Sequence, residues 1–448
     1  MEYFGRIVGF FIKTYFAAAT IKQSSFNLQT ATMKKNIATL LLLLVVHCAT
    51  AQSPATYYPI VFVHGMLGSG DTYTQPIQRF MEQGYSPAQL VTMDWNTVAF
   101  GNSKVSLQLD SVINRVLKKT GATQVNLVGH SAGGGLCYGY LKDSSHAAKV
   151  AHYVHIGSGQ LSKPATVPTM NIYSKDDLVS GGADVAGATN ISLSGKDHYE
   201  VATCSETFDA MYAFFNSKKA NTKLSHKQQP ILVSGRAVTF GENKAEANAT
   251  ITIYAINNKT GKRKTTSPQY ENTTDEMGYW GGFTAKAGEY YEMVVLSGDT
   301  AKRPVHYYRE PFGMSNPVVY LRTLGKQGMT AMLSNALPTS DAQSVLAVFS
   351  SSKAVISGRD SLTANELALS AKIYSAAKKT CIAYFLFDNG DGATGGDKLP
   401  LFSMIPFMNA VDMMIPANSK PINLYYNGRT MNLPSMPASK GVMVAVFD

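Results

Sequence analysis

The sequence predicts an α/β domain with a parallel sheet over residues 52–216, followed by an all-β C-terminal region over residues 231–448. Three observations support this fold class. Up to residue 216, short apolar runs alternate with segments of helical periodicity, which is typical of a parallel sheet covered by helices. Residues 217–230 hold four lysines and no acidic residue, and this composition indicates an exposed linker. From Ile231 onward, β-rich runs alternate with turn sequences.

The elements of the α/β domain follow in order along the chain. Each predicted strand is a mostly apolar run, and each predicted helix places apolar residues three or four positions apart. Gly84 and Gly121 stand where two of the helices should end. In chain order the segments are the strand YPIVFVHG, the helix YTQPIQRFMEQG, the strand QLVTMDW, the helix SKVSLQLDSVINRVLKKTG, the strand QVNLVGH, the helix AGGGLCYGYLKD, and the strands VAHYVHIG and TMNIYSKDD.

The C-terminal region is expected to form two β-sandwich-like modules, residues 231–312 and 313–448. A chain of 448 residues is too long for one ordinary core. Its composition, 45% hydrophobic and 16% charged, argues against disorder. The predicted strands are GRAVTF, ATITIYAIN, YYEMVVLSG, NPVVYLRTL, SVLAVFSS, ALSAKIYS, TCIAYFLFDNGDG, PINLYYNG and GVMVAVFD.

Residues 1–51 have the pattern of a secretory signal peptide preceded by an upstream extension. A charged head at Met33-Lys34-Lys35 precedes the apolar run IATLLLLLVV and a small-x-small site at Ala49-Thr50-Ala51. We therefore expect secretion, with cleavage after Ala51, translation that starts at Met1 or Met33, and no transmembrane segment in the mature chain. A lipoprotein that is processed at Cys48 is the weaker alternative.

The charge of the mature chain argues against a nucleic-acid partner. Removing residues 1–51 takes five basic residues from 40 and one acidic residue from 30, which leaves a net charge of +6. No basic block in the remaining chain is long enough to form a nucleic-acid-binding arm.

A serine set between glycines is the first candidate for chemistry. Gly129-His130-Ser131-Ala132-Gly133 directly follows a predicted strand. A serine at a sharp strand-to-helix corner needs glycine on both sides, because a Cβ there would meet the neighbouring backbone. Ser131 is therefore predicted to be a nucleophile, provided that a base and an orienting acid follow.

The base and the acid should follow in the order acid, then histidine. His198 is the predicted base, because it lies in a loop before the final helix, whereas His152 and His155 fall within a strand. For the acid we favour Asp177, which begins Asp177-Leu178-Val179, over its neighbour Asp176. Asp197 is a poor candidate, because adjacent side chains rarely face each other.

An acyl-transfer enzyme also needs hydrogen-bond donors for the oxyanion of the tetrahedral intermediate. The backbone N–H of Ala132, directly after Ser131, is one predicted donor. The second is predicted to be the N–H of Met66, in the turn after the first strand, where Gly65 allows close approach. His64 is interpreted as a structural residue of that turn.

Four ordered motifs together resemble the small secreted bacterial lipases of the α/β-hydrolase superfamily: PIVFVHGMLGS, VNLVGHSAGGG, NIYSKDDLVS and GKDHYEV. The resemblance covers residues 57 to about 215. It implies hydrolysis of triacylglycerol or other fatty acyl esters through an acyl-enzyme, with catalytic Ser131, Asp177 and His198 and without a metal or cofactor. The implied partner is a lipid or ester substrate, and the resemblance implies that it is met at a lipid–water interface.

Alternatives remain open at this point. An extracellular polyester depolymerase, acting for example on polyhydroxyalkanoate, or a short-chain carboxylesterase would use the same triad. A non-catalytic binding protein and a peptidase are less favoured. Some secreted microbial lipases carry a C-terminal β domain that aids lipid binding, and residues 231–448 resemble such an arrangement. Within it, the run from VSGRAVTF to YYEMVVL resembles prealbumin-like modules.

The apolar segment LPLFSMIPFMNAVDMMIP, residues 399–416, has two interpretations. Its prolines argue against a continuous helix or a central strand. The segment is either an apolar loop in which Phe402 and Phe407 contact substrate or lipid, or a core segment between β-layers. One smaller question is whether DNGDGATGGD binds calcium, and its acidic residues lack the spacing of a calcium loop. Another is whether Cys137 and Cys204 form a disulfide or remain buried thiols.

Overall fold

The computed structural model describes residues 57–99, 104–221, 230–325 and 327–448. The predicted signal peptide and most of the predicted linker lie outside the described residues. Residues 58–448 form one compact unit, so contacts between its α/β part and its β-rich part can be described directly.

The α/β part is built on a six-stranded sheet in which every neighbouring pair is parallel, with strand order β2-β1-β3-β4-β5-β6. The predicted fold class of this part is confirmed. The strands are β1 (Ile60–Val63), β2 (Leu90–Met93), β3 (Val125–His130), β4 (Val150–Ile156), β5 (Thr169–Ser174) and β6 (Thr189–Leu193). Because all six strands run the same way, their carboxyl ends meet at one edge, where loops can assemble a site.

Helices cover this sheet. They are α1 (Thr74–Glu82), α2 (Val105–Thr120), α3 (Ala132–Tyr140), α4 (Ser144–Ala147), α5 (Glu200–Thr203) and α6 (Ser205–Asn216), with 3₁₀ turns at Gly70–Tyr73 and Pro87–Gln89. The longest helix, α2, buries one stripe and ends as predicted at Gly121, whose φ of 71° is the left-handed conformation that favours glycine. The buried stripe consists of Val105, Leu109, Val112, Ile113 and Val116.

The C-terminal part is strand-rich, with three sheets. One has the order β10-β7-β13, an eight-stranded sheet has the order β18-β17-β14-β21-β12-β11-β8-β9, and a third has the order β16-β15-β19-β20. The strands are β7 (Ile231–Thr239), β8 (Thr250–Ile256), β9 (Tyr270–Thr273), β10 (Tyr279–Ala285), β11 (Tyr290–Leu296), β12 (Val305–Arg309), β13 (Asn316–Thr323), β14 (Leu346–Ser350), β15 (Leu362–Ala364), β16 (Leu367–Ala368), β17 (Ala383–Phe387), β18 (Met408–Asp412), β19 (Ile422–Tyr426), β20 (Arg429–Leu433) and β21 (Val442–Phe447).

The sheets run across the predicted module boundary at residue 312. Strand β13 pairs in parallel with β7, and β12 pairs in parallel with β21, with Val305 opposite Val442. Hydrogen bonds therefore join strands from both sides of the boundary. The division into two modules stays a prediction. Short helices also interrupt the β-rich region, namely α7 (Gly328–Ala336) and α8 (Pro400–Ser403), with 3₁₀ turns at Ala377–Lys379 and Ala438–Lys440.

One predicted strand of this region is wrong. The run ALSAKIYS alternates in hydrophobicity, but only its first residue belongs to a strand, β16, and the rest forms turns closed by hydrogen bonds from Tyr374 N and Ser375 N to Ala371 O. Leu369 is buried while Ile373 is 55% exposed. Alternation along a tight turn therefore resembled the alternation of a strand. Within the described residues, no helix is long and apolar enough to cross a membrane.

Candidate active site

Ser131 occupies the sharp corner between β3 and α3. Its φ of 54° and ψ of −126° are unusual for a residue with a side chain, and such strain is common at functional sites. Glycine is required on both sides: a Cβ on Gly133 would lie 2.3 Å from Val63 O, and a Cβ on Gly129 would lie 2.6 Å from Gly133 O. The backbone turn therefore depends on these glycines and presents the Ser131 side chain beyond the carboxyl edge of the sheet.

The structure brings Ser131, His198 and Asp177 together in one hydrogen-bonded chain. Ser131 Oγ lies 2.9 Å from His198 Nε2, and His198 Nδ1 lies 2.8 Å from Asp177 Oδ2. With the proton on Nδ1, the imidazole donates to Asp177 and accepts from the serine hydroxyl. His198 and Asp177 are 1% and 2% exposed, so their geometry is fixed by packing.

The carboxylate of Asp177 is held in its charged form. Burial alone would raise its pKa, but the hydrogen bond and charge of His198 and hydrogen bonds from Ser180 Oγ and Val179 N lower the pKa below its ordinary value. The two neighbouring candidates serve elsewhere. Asp176 accepts a hydrogen bond from Gly195 N at 2.6 Å, and Asp197 Oδ1 accepts from Tyr199 N and thereby caps the following turn.

The other histidines near the site have structural partners. His155 contacts the Tyr153 hydroxyl through Nδ1 and Gly159 O through Nε2. His64 Nδ1 lies 2.8 Å from Gly65 O, and burial is the main cause of its lowered pKa. His152 bonds the side chain of Asn126. These contacts account for His152 and His155 as strand residues and for His64 as a residue of the turn, as the sequence indicates.

His130 was missed as a site residue. Its Nε2–H donates to the backbone carbonyl of His198 at 2.7 Å, and the two rings lie 4.8 Å apart. Burial, followed by the charge of His198, lowers the pKa of His130 to about 3, so the ring stays neutral. The residue before the nucleophile therefore positions the loop that carries His198. Its place beside Ser131 in the sequence is the only signal that could have indicated this role.

The two predicted oxyanion donors belong to the chain segments that adjoin Ser131. Ala132 is the first residue of α3, where a backbone N–H has no intrahelical acceptor. Met66 lines the same shallow depression as Ser131 and His198. Gly65 makes this approach possible, since a Cβ on it would lie 2.7 Å from Ser131 Cβ.

The turn that carries Met66 is held by a residue of the β-rich part, Asn243. Its Nδ2 donates to Gly68 O at 2.8 Å and to Trp95 O at 3.0 Å, and its Oδ1 accepts from Ser69 Oγ at 2.5 Å. Asn243 is 6% exposed and has a φ of 55°. We call residues 64–71 the oxyanion loop. Sequence reasoning could not find Asn243, because it lies more than 170 positions from this loop.

Three arginine–aspartate ion pairs also join the β-rich part to the loops of the site. Arg236 pairs with Asp94, whose Oδ1 accepts from Gly70 N in the oxyanion loop. Arg322 pairs with Asp71 at 2.5 Å. Arg359 donates to Asp197, the residue before His198, at 2.9 Å and to Glu200 at 3.0 Å. The β-rich part therefore fixes loops on both sides of Ser131. The pairs are Arg236–Asp94, Arg322–Asp71 and Arg359–Asp197.

A mostly apolar cavity adjoins the site at the junction of the two parts. The space between its lining atoms is about 1010 Å³, part of it open to solvent. Gly68, Thr72, Tyr199 and Phe407 line both this cavity and the depression at Ser131. The remaining walls come mostly from apolar side chains of the β-rich part, among them Phe240, Leu324, Leu333, Phe349, Phe385 and Phe402.

The apolar segment 399–416 forms part of this wall. It folds as the short helix α8 and the edge strand β18, consistent with its prolines. Phe402 and Phe407 are 1% and 7% exposed, so neither ring lies on the exterior as a lipid-contacting loop would require. Phe407 stacks on His198 with ring centroids 5.8 Å apart and a 9° angle between planes. Contact of the two phenylalanines with substrate stays a prediction, now through the cavity.

Neither a disulfide nor a metal site is seen in the described residues. Cys137, Cys204 and Cys381 are buried free thiols, which corrects the conceivable Cys137–Cys204 bridge. No cluster of His, Cys, Asp or Glu in the described part of the chain could hold a metal ion. In DNGDGATGGD, the Asp388 carboxylate accepts hydrogen bonds from Gly390 N and Gly392 N of its own loop.

Two family models match the chain. Residues 57–146 match the lipase (class 2) family, and residues 229–325 match the lipase C-terminal domain. The first match includes Met66 and Ser131, whereas Asp177 and His198 lie beyond it.

Curated relatives and solved structures are similar over part of the chain. A triacylglycerol lipase from Pseudarthrobacter phenanthrenivorans and one from Burkholderia plantarii are each 33% identical over 85 residues, which is 18% of this chain and 27% and 24% of theirs. The chain thus spans about a quarter of the length of these relatives. Among solved structures, a Bacillus licheniformis lipase is 11% identical (57% of this chain, 93% of that chain, TM-score 0.29) and a Bacillus subtilis carboxylesterase is 11% identical (37% and 86%, TM-score 0.28). The chain is therefore similar to class 2 lipases over residues 57–146, which include Ser131, and to the lipase C-terminal domain over residues 229–325.

Proposed function

We propose that this chain is a secreted serine ester hydrolase, a lipase that hydrolyses triacylglycerol and other fatty acyl esters. The observation that carries the proposal is the Ser131–His198–Asp177 hydrogen-bond chain beside an apolar cavity. The matches to lipase family models and the similarity to triacylglycerol lipases support the same activity.

The reaction would proceed in two steps through an acyl-enzyme. Ser131 Oγ attacks the ester carbonyl carbon while His198 Nε2 takes the hydroxyl proton. The tetrahedral intermediate collapses, the C–O bond to the alcohol breaks, and His198 returns the proton to the leaving oxygen. A water molecule, deprotonated by His198, then attacks the acyl-serine, and the acid leaves as Ser131 regains its proton.

Neighbouring groups make these steps easier. Asp177 holds the imidazole in the tautomer that accepts from Ser131 and stabilises the imidazolium that forms. The N–H groups of Met66 and Ala132 would bind the oxyanion, and losing one such donor typically costs about 100- to 1000-fold in rate. His198 supplies the base and Asp177 the counter-charge, so this chemistry requires neither a metal nor a cofactor.

The cavity supports long acyl chains over short ones. An apolar wall stabilises each buried methylene by about 0.8 kcal/mol, and the cavity begins at residues that also border Ser131. Leu178 and Val179, next to Asp177, and Met404, near Phe407 in the chain, are 59%, 44% and 75% exposed. These side chains support contact with a lipid–water interface.

The test is hydrolysis of p-nitrophenyl esters from C2 to C16 by the mature protein, residues 52–448. We expect activity that rises toward long chains and disappears in Ser131→Ala, with Ser145→Ala, an exposed serine of α4, as the matched control. Activity restricted to C2–C4 would favour a carboxylesterase or a polyester depolymerase. A folded wild type without activity would overturn the proposal and favour a binding protein.

Export is tested separately by sequencing the N-terminus of the extracellular protein, which is expected to begin at Gln52.

A further inference from the structure

The wall of the apolar cavity contains a buried ion pair between Asp71 and Arg322. Both side chains line the cavity, and Arg322 donates to Asp71 Oδ1 at 2.5 Å. Asp71 is 4% exposed, and its second oxygen, Oδ2, is buried without a hydrogen-bond partner among the described residues. A buried carboxylate oxygen without a partner is unusual, since buried polar atoms are nearly always hydrogen-bonded.

The chemistry of this ion pair selects a particular kind of partner. Asp71 Oδ2 is an acceptor, and the guanidinium of Arg322 is a donor in the same wall. The pair is neutral as a whole, so a charged ligand group gains little from it and would lose its hydration. A hydroxyl group both donates and accepts, and it therefore fits a neutral acceptor–donor pair.

The surroundings indicate what carries that hydroxyl. The cavity wall is mostly apolar, with Leu67, Leu324 and Phe349 among its residues, although Thr72 and Thr323 also line it. A ligand there needs a mostly apolar body with a polar group that meets the ion pair. Free glycerol and other small polyols would expose several hydroxyls to apolar walls, at a cost of desolvation for each one that stays unpaired.

The position of the ion pair connects it to the nucleophile. Asp71 is the last residue of the oxyanion loop and lies in the 3₁₀ turn Gly70–Tyr73, and its neighbour Thr72 lines both the cavity and the depression at Ser131. An acyl chain attached to Ser131 and extended into the cavity would pass this wall.

We propose that Asp71 and Arg322 form a hydroxyl-recognition subsite, and that the preferred substrates are esters of hydroxylated fatty acids whose hydroxyl donates to Asp71 Oδ2. The inference rests on the proposed ester hydrolase function, since it assigns the acyl chain of that reaction to the cavity. It names the substrate class more narrowly than an unsubstituted fatty acyl ester.

The first experiment compares kcat/KM for p-nitrophenyl stearate with its 3-, 6-, 9- and 12-hydroxy derivatives. For wild type we expect at least one hydroxy isomer to exceed stearate by about tenfold or more, because a site built to bond a hydroxyl disfavours the analogue that lacks it. Equal values for stearate and all four isomers would overturn the subsite.

Variants test whether the ion pair causes the preference. In Asp71→Leu/Arg322→Met the pair becomes apolar, and such replacements are often tolerated by the fold; the hydroxy-to-plain ratio should fall to about one. If that protein does not fold, Asp71→Asn/Arg322→Gln keeps a neutral hydrogen-bonded pair but turns a donor toward the cavity. It should then shift preference from the hydroxy ester toward the corresponding oxo ester.

The control variant Arg263→Met/Glu292→Leu removes an ion pair that lies away from the cavity and should keep the wild-type ratio. A hydroxy preference that persists without the pair would overturn the proposal.

A binding measurement separates this proposal from the ester hydrolase proposal. Calorimetric titration of Ser131→Ala with stearate and with each of the 3-, 6-, 9- and 12-hydroxystearates reports recognition without turnover. Tighter binding of at least one hydroxy acid than of stearate by about tenfold, together with an inactive wild type, would keep the subsite and reject the hydrolase. Equal binding of stearate and all the hydroxy acids, together with an active wild type, would keep the hydrolase and reject the subsite.

Discussion

Replacing Asn243 with alanine tests whether the β-rich part holds the oxyanion loop in its catalytic geometry. The substitution removes the side chain that bonds Gly68 O, Trp95 O and Ser69 Oγ at 2.5–3.0 Å. It leaves the triad itself untouched, so any effect on turnover must pass through the loop that carries Met66.

The magnitude follows from these three hydrogen bonds. Each contributes about 1 kcal/mol net, and leaving a buried partner unsatisfied raises the cost to about 1–3 kcal/mol. With at most partial rescue by water, we expect a loss of about 3 kcal/mol in the free energy of unfolding. A displacement of about 1 Å in a positioned group can cost about 100-fold in rate, so kcat should fall about 10- to 100-fold, with KM changed less than about twofold.

The control is Asn248→Ala. Asn248 is exposed, belongs to the same part of the chain, and has nearly the same left-handed backbone, with a φ of 57° against 55° for Asn243. Both substitutions therefore carry a similar backbone penalty of about 1 kcal/mol, and the difference between them isolates the contacts of Asn243. The assays are urea unfolding and steady-state hydrolysis of one p-nitrophenyl ester. A folded Asn243→Ala protein with kcat equal to that of Asn248→Ala would refute the reasoning.

Three further substitutions test other contacts. Glu292→Gln removes a buried carboxylate. Burial would raise the pKa of Glu292, but His306 and Arg263 lower that pKa to about 2. The charged carboxylate therefore stabilises the fold by about 3 kcal/mol, a contribution that is complete above pH 4.5 and lost as pH falls toward 2. Acid unfolding should therefore show a wild-type advantage that shrinks across that range, and a constant difference would contradict the assignment. Phe407→Ala removes the ring stacked on His198 and should cost about 3–5 kcal/mol of stability. Because space opens beside Ser131, kcat/KM for acyl-branched esters should rise relative to linear ones; an unchanged ratio would exclude Phe407 from the acyl path. Arg359→Met leaves Asp197 without its charged partner and should lower Tm and reduce kcat severalfold, whereas Arg359→Lys should recover part of both. A normal kcat in Arg359→Met would show that this ion pair does not position the loop that carries His198.

Local patterns were sufficient for the frame of the site. Ser131 could be predicted because only glycine neighbours allow its backbone corner, and a requirement of that kind is visible in the residues themselves. Chain order then limited the base to His198 and the acid to Asp176 or Asp177. The sequence pattern favoured Asp177 over Asp176 but could not decide between them. Adjacent residues differ only in the direction in which the turn points their side chains, and that direction decides which one faces His198.

The failures have physical reasons as well. ALSAKIYS alternates like a strand, yet hydrogen bonds from Tyr374 N and Ser375 N to Ala371 O fold its second half into turns. Segment 399–416 was open between loop and core, because an apolar run is equally compatible with lipid and with a protein interior. Only the tertiary structure places Phe407, directly before β18, against His198.

The sequence by itself determined the parallel α/β domain, the β-rich region after it, and the order of Ser131, Asp177 and His198, because periodicity and glycine requirements are local properties of the chain. Only the tertiary structure decided that Asn243, Arg322 and Arg359 hold the loops around Ser131, and that a mostly apolar cavity with the Asp71–Arg322 ion pair in its wall lies beside it. These contacts join residues more than 140 positions apart. Their energies arise from burial and from complementary partners, which no single segment contains.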